Sequence, residues 1–117
     1  MTDYIRTDDM QWRRRTDYGY ELIEVRAYGR MYVVVWGTID PADYTERQIE
    51  DCIRTYGYDS IEDVRDRYGT EADAVMAECL FEMTNEIDLN MTNAFSSKEE
   101  AIKMAQDMMS FAEKMGW

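Results

Sequence analysis

Apolar positions recur along the chain with two periods, every second residue up to residue 39 and every third or fourth residue beyond it. The clearest alternation is residues 20–39, YELIEVRAYGRMYVVVWGTI, with Gly29-Arg30 at its middle. Glycine followed by another residue suits a two-residue type II′ turn, so this stretch predicts a β-hairpin. Pairing across the turn sets Ala27 opposite Tyr32, Val25 opposite Val34 and Ile23 opposite Trp36, an apolar face. The other face mixes Glu24 and Arg26 with Leu22, Val33 and Val35. Half apolar, it is expected to act as scaffold or as a contact between copies of the chain. A lone hairpin is marginal in water, so a third strand is expected around residues 10–15.

Asp40-Pro41 closes the sheet region and helical periodicity follows. Thr45 with Gln48 has the form of a capping box ahead of Ile49, Cys52, Ile53 and Tyr56. Asp59 or Ser60 caps a second helix with Ile61, Val64 and Tyr68 on its inner side. Gly57 and Gly69 stand where helices stop. Thr70 with Asp73 opens a third helix, which has apolar residues on two sides (Val75, Met76, Cys79, Leu80 and Met83; Ala74, Ala77 and Phe81) and is therefore expected at the centre. Ser97 with Glu100 opens the last, carrying Ala101, Ile102, Ala105, Met108, Met109 and Ala112. The pattern Ile-Glu-Asp, then Tyr-Gly, occurs at Ile49 to Gly57 and again at Ile61 to Gly69. Twelve residues separate the copies, too close for solenoid repeats of roughly 20 or more, so each is read as one short helix with Ile and Tyr inward. The fold class expected is α+β: an antiparallel β-hairpin or three-stranded sheet packed against about four α-helices. The chain reads as one domain, 1–117, with a β-sheet region at 1–39 and a helical region at 40–117.

Composition adds limits. Hydrophobic residues make up 45% of the 117 positions, enough for a core. Cys52 and Cys79 fall on apolar helix faces, as reduced core cysteines do, and MTDYIRTDDM shows no secretory signal. A cytoplasmic protein is expected, with no membrane partner. Histidine is absent, which removes the commonest general base, Ser-His and Cys-His pairs and the usual zinc ligand sets. No pair of carboxylates stands out as acid and base, so the expectation is no enzyme, no cofactor and no catalytic residue.

Charge changes the picture most. Residues 1–39 hold six acids and six arginines, and residues 40–95 hold fifteen acids against four arginines. The net charge of −12 therefore sits almost wholly in the middle segment, which argues against direct contact with nucleic acid. Asp59, Glu62, Asp63 and Asp66 fall on the outer side of the second helix. Glu71, Glu78, Glu82 and Glu86 form a stripe on the third, which carries no Lys or Arg to relieve them. A rigid row of carboxylates reproduces part of the charge of a nucleic-acid backbone. These eight residues are the expected partner-binding site for a basic surface, as in a nuclease or other nucleic-acid-binding protein. The class that fits is a non-enzymatic inhibitor of phage or mobile-element type, a nucleic-acid mimic acting against restriction or CRISPR defence. The alternative is a structural or regulatory homo-oligomer, a homodimer for example. Arg13, Arg14 and Arg15 beside Trp12 are expected to pair with the acidic helices of this chain or of a second copy, Arg13 and Arg15 on one strand face and Arg14 on the other. A weak metal candidate is the loop 88–99. Asp88, Asn90, Thr92 and Glu99 occupy positions 1, 3, 5 and 12 of an EF-hand loop, but Asn93 stands where that loop needs glycine. Ten methionines, four of them in the last helix, are read as core filler.

Overall fold

The computed structural model describes residues 3–116. Five strands form one antiparallel sheet in sequence order: β1 (Ile5–Asp8), β2 (Gln11–Thr16), β3 (Gly19–Tyr28), β4 (Met31–Ile39) and β5 (Asn90–Met91). The helices are α1 (Glu46–Thr55), α2 (Ile61–Tyr68), α3 (Ala72–Met83) and α4 (Lys98–Met115). The α+β class is as expected, but the sheet is larger and the helical region is organised differently. A 3-10 turn at Gly69–Glu71 joins α2 directly to α3, so the two run on as one bent body. Thr70 lies inside that turn and no side chain caps α3, contrary to the start signal read at Thr70.

The central hairpin has the expected register, with Ala27 on Tyr32, Val25 on Val34 and Ile23 on Trp36. Gly29 has φ +64° and no described residue other than glycine has positive φ, the combination a type II′ turn demands. β2 is the third strand read at residues 10–15. β1 escaped the sequence, and β5 lies where the sequence allows either a polar loop or a short strand ahead of Ser97. β1 is four residues long and mostly exposed, and β5 comes from the far end of the chain to pair Met91 with Val35 and Asn90 with Trp36.

Side chains alternate across β3 and β4, and both faces of the sheet are covered. Ile23, Val25 and Val34, with Trp12 of β2, pack against Ala101, Ala105 and Met109 of α4. Leu22, Val33, Val35 and Ile39 pack against Ile53, Val64, Met76, Leu80 and Phe81 from α1, α2 and α3. The face expected as scaffold or as a contact between copies is occupied within the chain; Leu22, Val33 and Val35 are at most 1% exposed. The result is a sheet between a three-helix layer and the single helix α4. As read, α3 lies at the centre of its layer, burying Ala74, Ala77 and Phe81 as well as Met76, Cys79 and Leu80.

The helix starts follow the caps. Thr45 and Gln48 form a complete capping box, and Ser60 and Ser97 accept from Asp63 N and Glu100 N. In the two Ile-Glu-Asp copies the isoleucines are buried as expected, but Tyr56 and Tyr68 are exposed. Tyr68 instead meets Tyr58 edge to face, their hydroxyls 2.7 Å apart. Cys52 and Cys79 are free and buried. Of the methionines of α4, Met109 fills core, whereas Met104 and Met115 are exposed. No helix among the described residues is long and apolar enough to cross a membrane.

Candidate functional site

The eight acids assigned to a partner fall into two groups. On and before α2, Asp59, Glu62 and Asp66 are exposed and make no ion pair among the described residues, and Asp63 meets Arg67 at 2.9 Å. The stripe along α3 is different. Arg13 of β2 reaches Glu78 and, at 3.0 Å, Glu71. Arg26 of β3 reaches Glu86 at 3.4 Å. Glu82 accepts from Gln11 Nε2 at 2.6 Å. The reading that this stripe lacks cations is therefore corrected: counting charges along one helix leaves out arginines that the sheet brings beside it.

What these contacts enclose is a cleft of ≈ 730 Å³ between α3 and the β2–β3 edge of its sheet face. Asp8, Glu24, Glu78, Glu82 and Glu86 line it, with Arg26, Tyr56 and Tyr58. Its floor is a polar cluster on an otherwise apolar face. Glu24, 7% exposed, receives Gln11 Nε2 at 2.8 Å and an ion pair from Arg26 Nε. Gln11 thus donates to Glu24 and Glu82 together, one amide against two carboxyls. Arg26 also donates to the carbonyls of Phe81 at 2.9 Å and Thr84 at 2.8 Å, at the C-terminal end of α3. The Phe81 carbonyl also accepts from Thr84 N at 3.0 Å, and a cation suits that end of the helix dipole.

This clustering moves proton affinities. Glu82 stands at the rim and is exposed as a residue, but its carboxyl is pushed up to about 8, by desolvation first and then by its hydrogen bond and charge contact with Glu24. Glu78 is raised by burial against the pull of Arg13. Arg26 is raised too: burial acts to lower it, and the contacts with Glu24, Glu82 and Glu86 outweigh that. Burial drives the Cys79 thiol up to about 12, so it lines the cleft as a neutral thiol without nucleophilic character. Near neutral pH, then, the Glu82 carboxyl keeps its proton.

The three arginines read at Arg13 to Arg15 divide between the strand faces as expected. Arg13 serves α3, Arg15 donates to Tyr20 OH at 3.1 Å, and Arg14 turns to the α4 side against Glu21 and the ring of Tyr4. The loop 88–99 does not wrap around a cation. Asn90 lies in β5, Thr92 Oγ1 accepts from Val34 N, Phe95 bridges to Tyr32, and Glu99 sits in the first turn of α4. Pairing to β4 extends the segment that an EF-hand would coil. Among the described residues no group of three or more His, Cys, Asp or Glu side chains is placed to hold a metal ion.

Gln11, Glu24, Arg26 and Asp8 were not singled out from the sequence. The signal was present for two of them: Glu24 and Arg26 alternate with Leu22, Val33 and Val35, charges on a face otherwise destined for a core. Compared with known protein families, with curated proteins and with solved structures, the chain matches none of them.

Proposed function

We propose that the chain is a small, non-enzymatic acidic binding protein, acting inside the cell, whose cleft between α3 and the sheet receives a basic group of a partner protein. The observation that carries this reading is the cleft lining: five carboxylates and a single arginine, with Tyr56 and Tyr58 on the wall. A guanidinium or ammonium group entering there meets charge and an aromatic surface together. Asp59, Glu62 and Asp66 extend the negative field outward and favour encounter with a basic surface. The finer form of the proposal is a nucleic-acid mimic, in which Glu78 and Glu86, and Glu82 once an incoming cation draws off its proton, stand in for phosphates against the basic groove of a nuclease or other defence enzyme. The pairing of Glu78 with Arg13 shifts the weight of that reading from the helix stripe to the cleft. Two buried free thiols fit a reducing compartment.

The test is capture of partners from the native host on immobilised protein, eluted with a salt gradient. A nucleic-acid-binding protein is expected to leave as salt rises and to be lost with the variant Asp8→Asn/Glu82→Gln/Glu86→Gln. Glu71 and Glu78 stay unchanged so that Arg13 keeps its partners. Undiminished capture by that variant overturns the assignment of the cleft. One observation favours a second reading, the raised carboxyl of Glu82, which beside Glu24 has a proton to give. Turnover of a hydrolysable substrate that disappears in Glu82→Gln would establish it in place of the first.

A further inference from the structure

The helix α4 carries more apolar surface than the sheet uses. Ala101, Ala105 and Met109 are its buried stripe, packed on Ile23, Val25 and Val34. Met104, Met108, Phe111 and Met115 make a second stripe, spaced by four, three and four residues. At about 100° per residue these four lie within about 60° of the helix circumference, a quarter-turn round from the first stripe. Met108 is half-buried, but Met104, Phe111 and Met115 are 36%, 53% and 52% exposed. Steps of four, three and four are those of alternating d and a positions in a heptad, the seam along which two helices pack knobs into holes.

The residues beside the seam point to its occupant. Asp107 and Lys114 fall at g positions, are exposed and make no ion pair among the described residues. Set antiparallel to itself, the helix matches d to a throughout: Met104 meets the second copy's Met115, and Met108 meets its Phe111. The same register brings Asp107 beside the second copy's Lys114, and two-fold symmetry makes that pair twice. A parallel pairing would set Asp107 against an e position, Ala112, and leave both charges unanswered. Ala105, buried on the sheet, and Ala112 are the e positions. Small side chains there let the two helices close up, with both sheets on the same side of the pair. We propose that this stripe of α4 is a self-recognition surface, through which two copies of the chain join as an antiparallel, two-fold dimer. The methionines adapt to one another in the seam, and the Asp107–Lys114 pairs fix direction and register. The surface lies across the sheet from the acidic cleft, so the dimer leaves the cleft open and does not depend on its reading.

The test is sedimentation equilibrium over a concentration series at fixed ionic strength. A monomer–dimer equilibrium is expected, and Phe111→Glu, which places a charge in the seam, is expected to leave a monomer. Asp107→Lys and Lys114→Asp are each expected to weaken the dimer roughly tenfold, since each turns two opposite-sign contacts into two like-sign ones. The first variant lowers the net negative charge and the second raises it, so a general charge effect would move them in opposite directions. Combined, the two changes reverse both pairs and are expected to restore the dimer. The charge series leaves the seam untouched, so it reads the interface even if Phe111→Glu unfolds, which circular dichroism shows. A monomer at every concentration, a dimer that survives in folded Phe111→Glu, single charge variants that move in opposite directions, or a double variant no tighter than the singles overturns the proposal.

Discussion

Arg26 closes α3 from the sheet side. Its guanidinium answers the Phe81 and Thr84 carbonyls and the Glu24 and Glu86 carboxylates while remaining 11% exposed. Removing it leaves the buried Glu24 carboxylate with Gln11 as its donor and takes a donor from each of the two carbonyls, and breaking one partner of a buried pair costs about 3–5 kcal/mol. Arg26→Ala is therefore expected to lose stability of that order in urea unfolding. Arg26→Lys should recover only part of it, because one ammonium cannot serve four acceptors spread around a planar fork. Equal stability of Arg26→Ala and the unaltered protein would remove this account. The sequence shows Arg26 as a charged residue on a half-apolar strand face. It cannot show that the C-terminal end of a helix more than fifty residues later comes down upon it, because that contact depends on tertiary packing and not on any local pattern. The same holds for Arg13, whose sign and strand face were legible and whose partners, Glu71 and Glu78, are visible only in the fold.

Helices and strands with strong local signals were legible as elements. Gly29-Arg30 fixed the central register, and the caps at Thr45, Ser60 and Ser97 placed three helix starts. The misses share a physical cause. β1 and β5 have little alternation of their own and exist because neighbouring strands offer free hydrogen-bonding edges, and the α2–α3 junction follows packing in preference to the Thr70 signal. α4 shows how small residues tie an element closely to a sheet. Ala101 and Ala105 let its backbone approach the sheet, and neither has any exposed surface. Ala105→Leu is expected to destabilise by about 1–3 kcal/mol through overpacking. Ala112→Phe, at a partly buried position near the end of the helix, is expected to be close to neutral. Chemical denaturation of both variants reads the difference, and similar losses would mean that α4 lies flat along its whole length.

Across the whole molecule, acidity and burial combine in an uncommon direction. Most carboxylates in proteins are held below their ordinary range and give stability as pH rises. Here Glu82 is pushed up to about 8, and Glu21 and Glu78 are also raised, each first by desolvation. An unfolded glutamate releases its proton near pH 4.3, so between about 4.3 and 8 the folded state binds the more protons at Glu82. Stability from this group is complete below that window, declines as pH rises through it and is gone above. The net charge of −12 acts the same way, since acidification relieves repulsion among the carboxylates. Higher still, the Cys79 thiol holds its proton to about 12, where an unfolded thiol has lost its own, and the decline continues. The melting temperature is accordingly expected to peak on the acid side of neutrality and to fall steadily toward pH 9 at constant ionic strength. Glu82→Gln keeps a neutral partner beside Glu24 at every pH, so it should flatten the slope between pH 5 and 8 and leave the alkaline limb unchanged. A melting temperature that climbs from pH 5 to 7.5 in the unaltered protein would show that Glu82 is ionised in the fold. The protonated member of the pair in the cleft, on which the acid–base reading of that site depends, would then be lost with it.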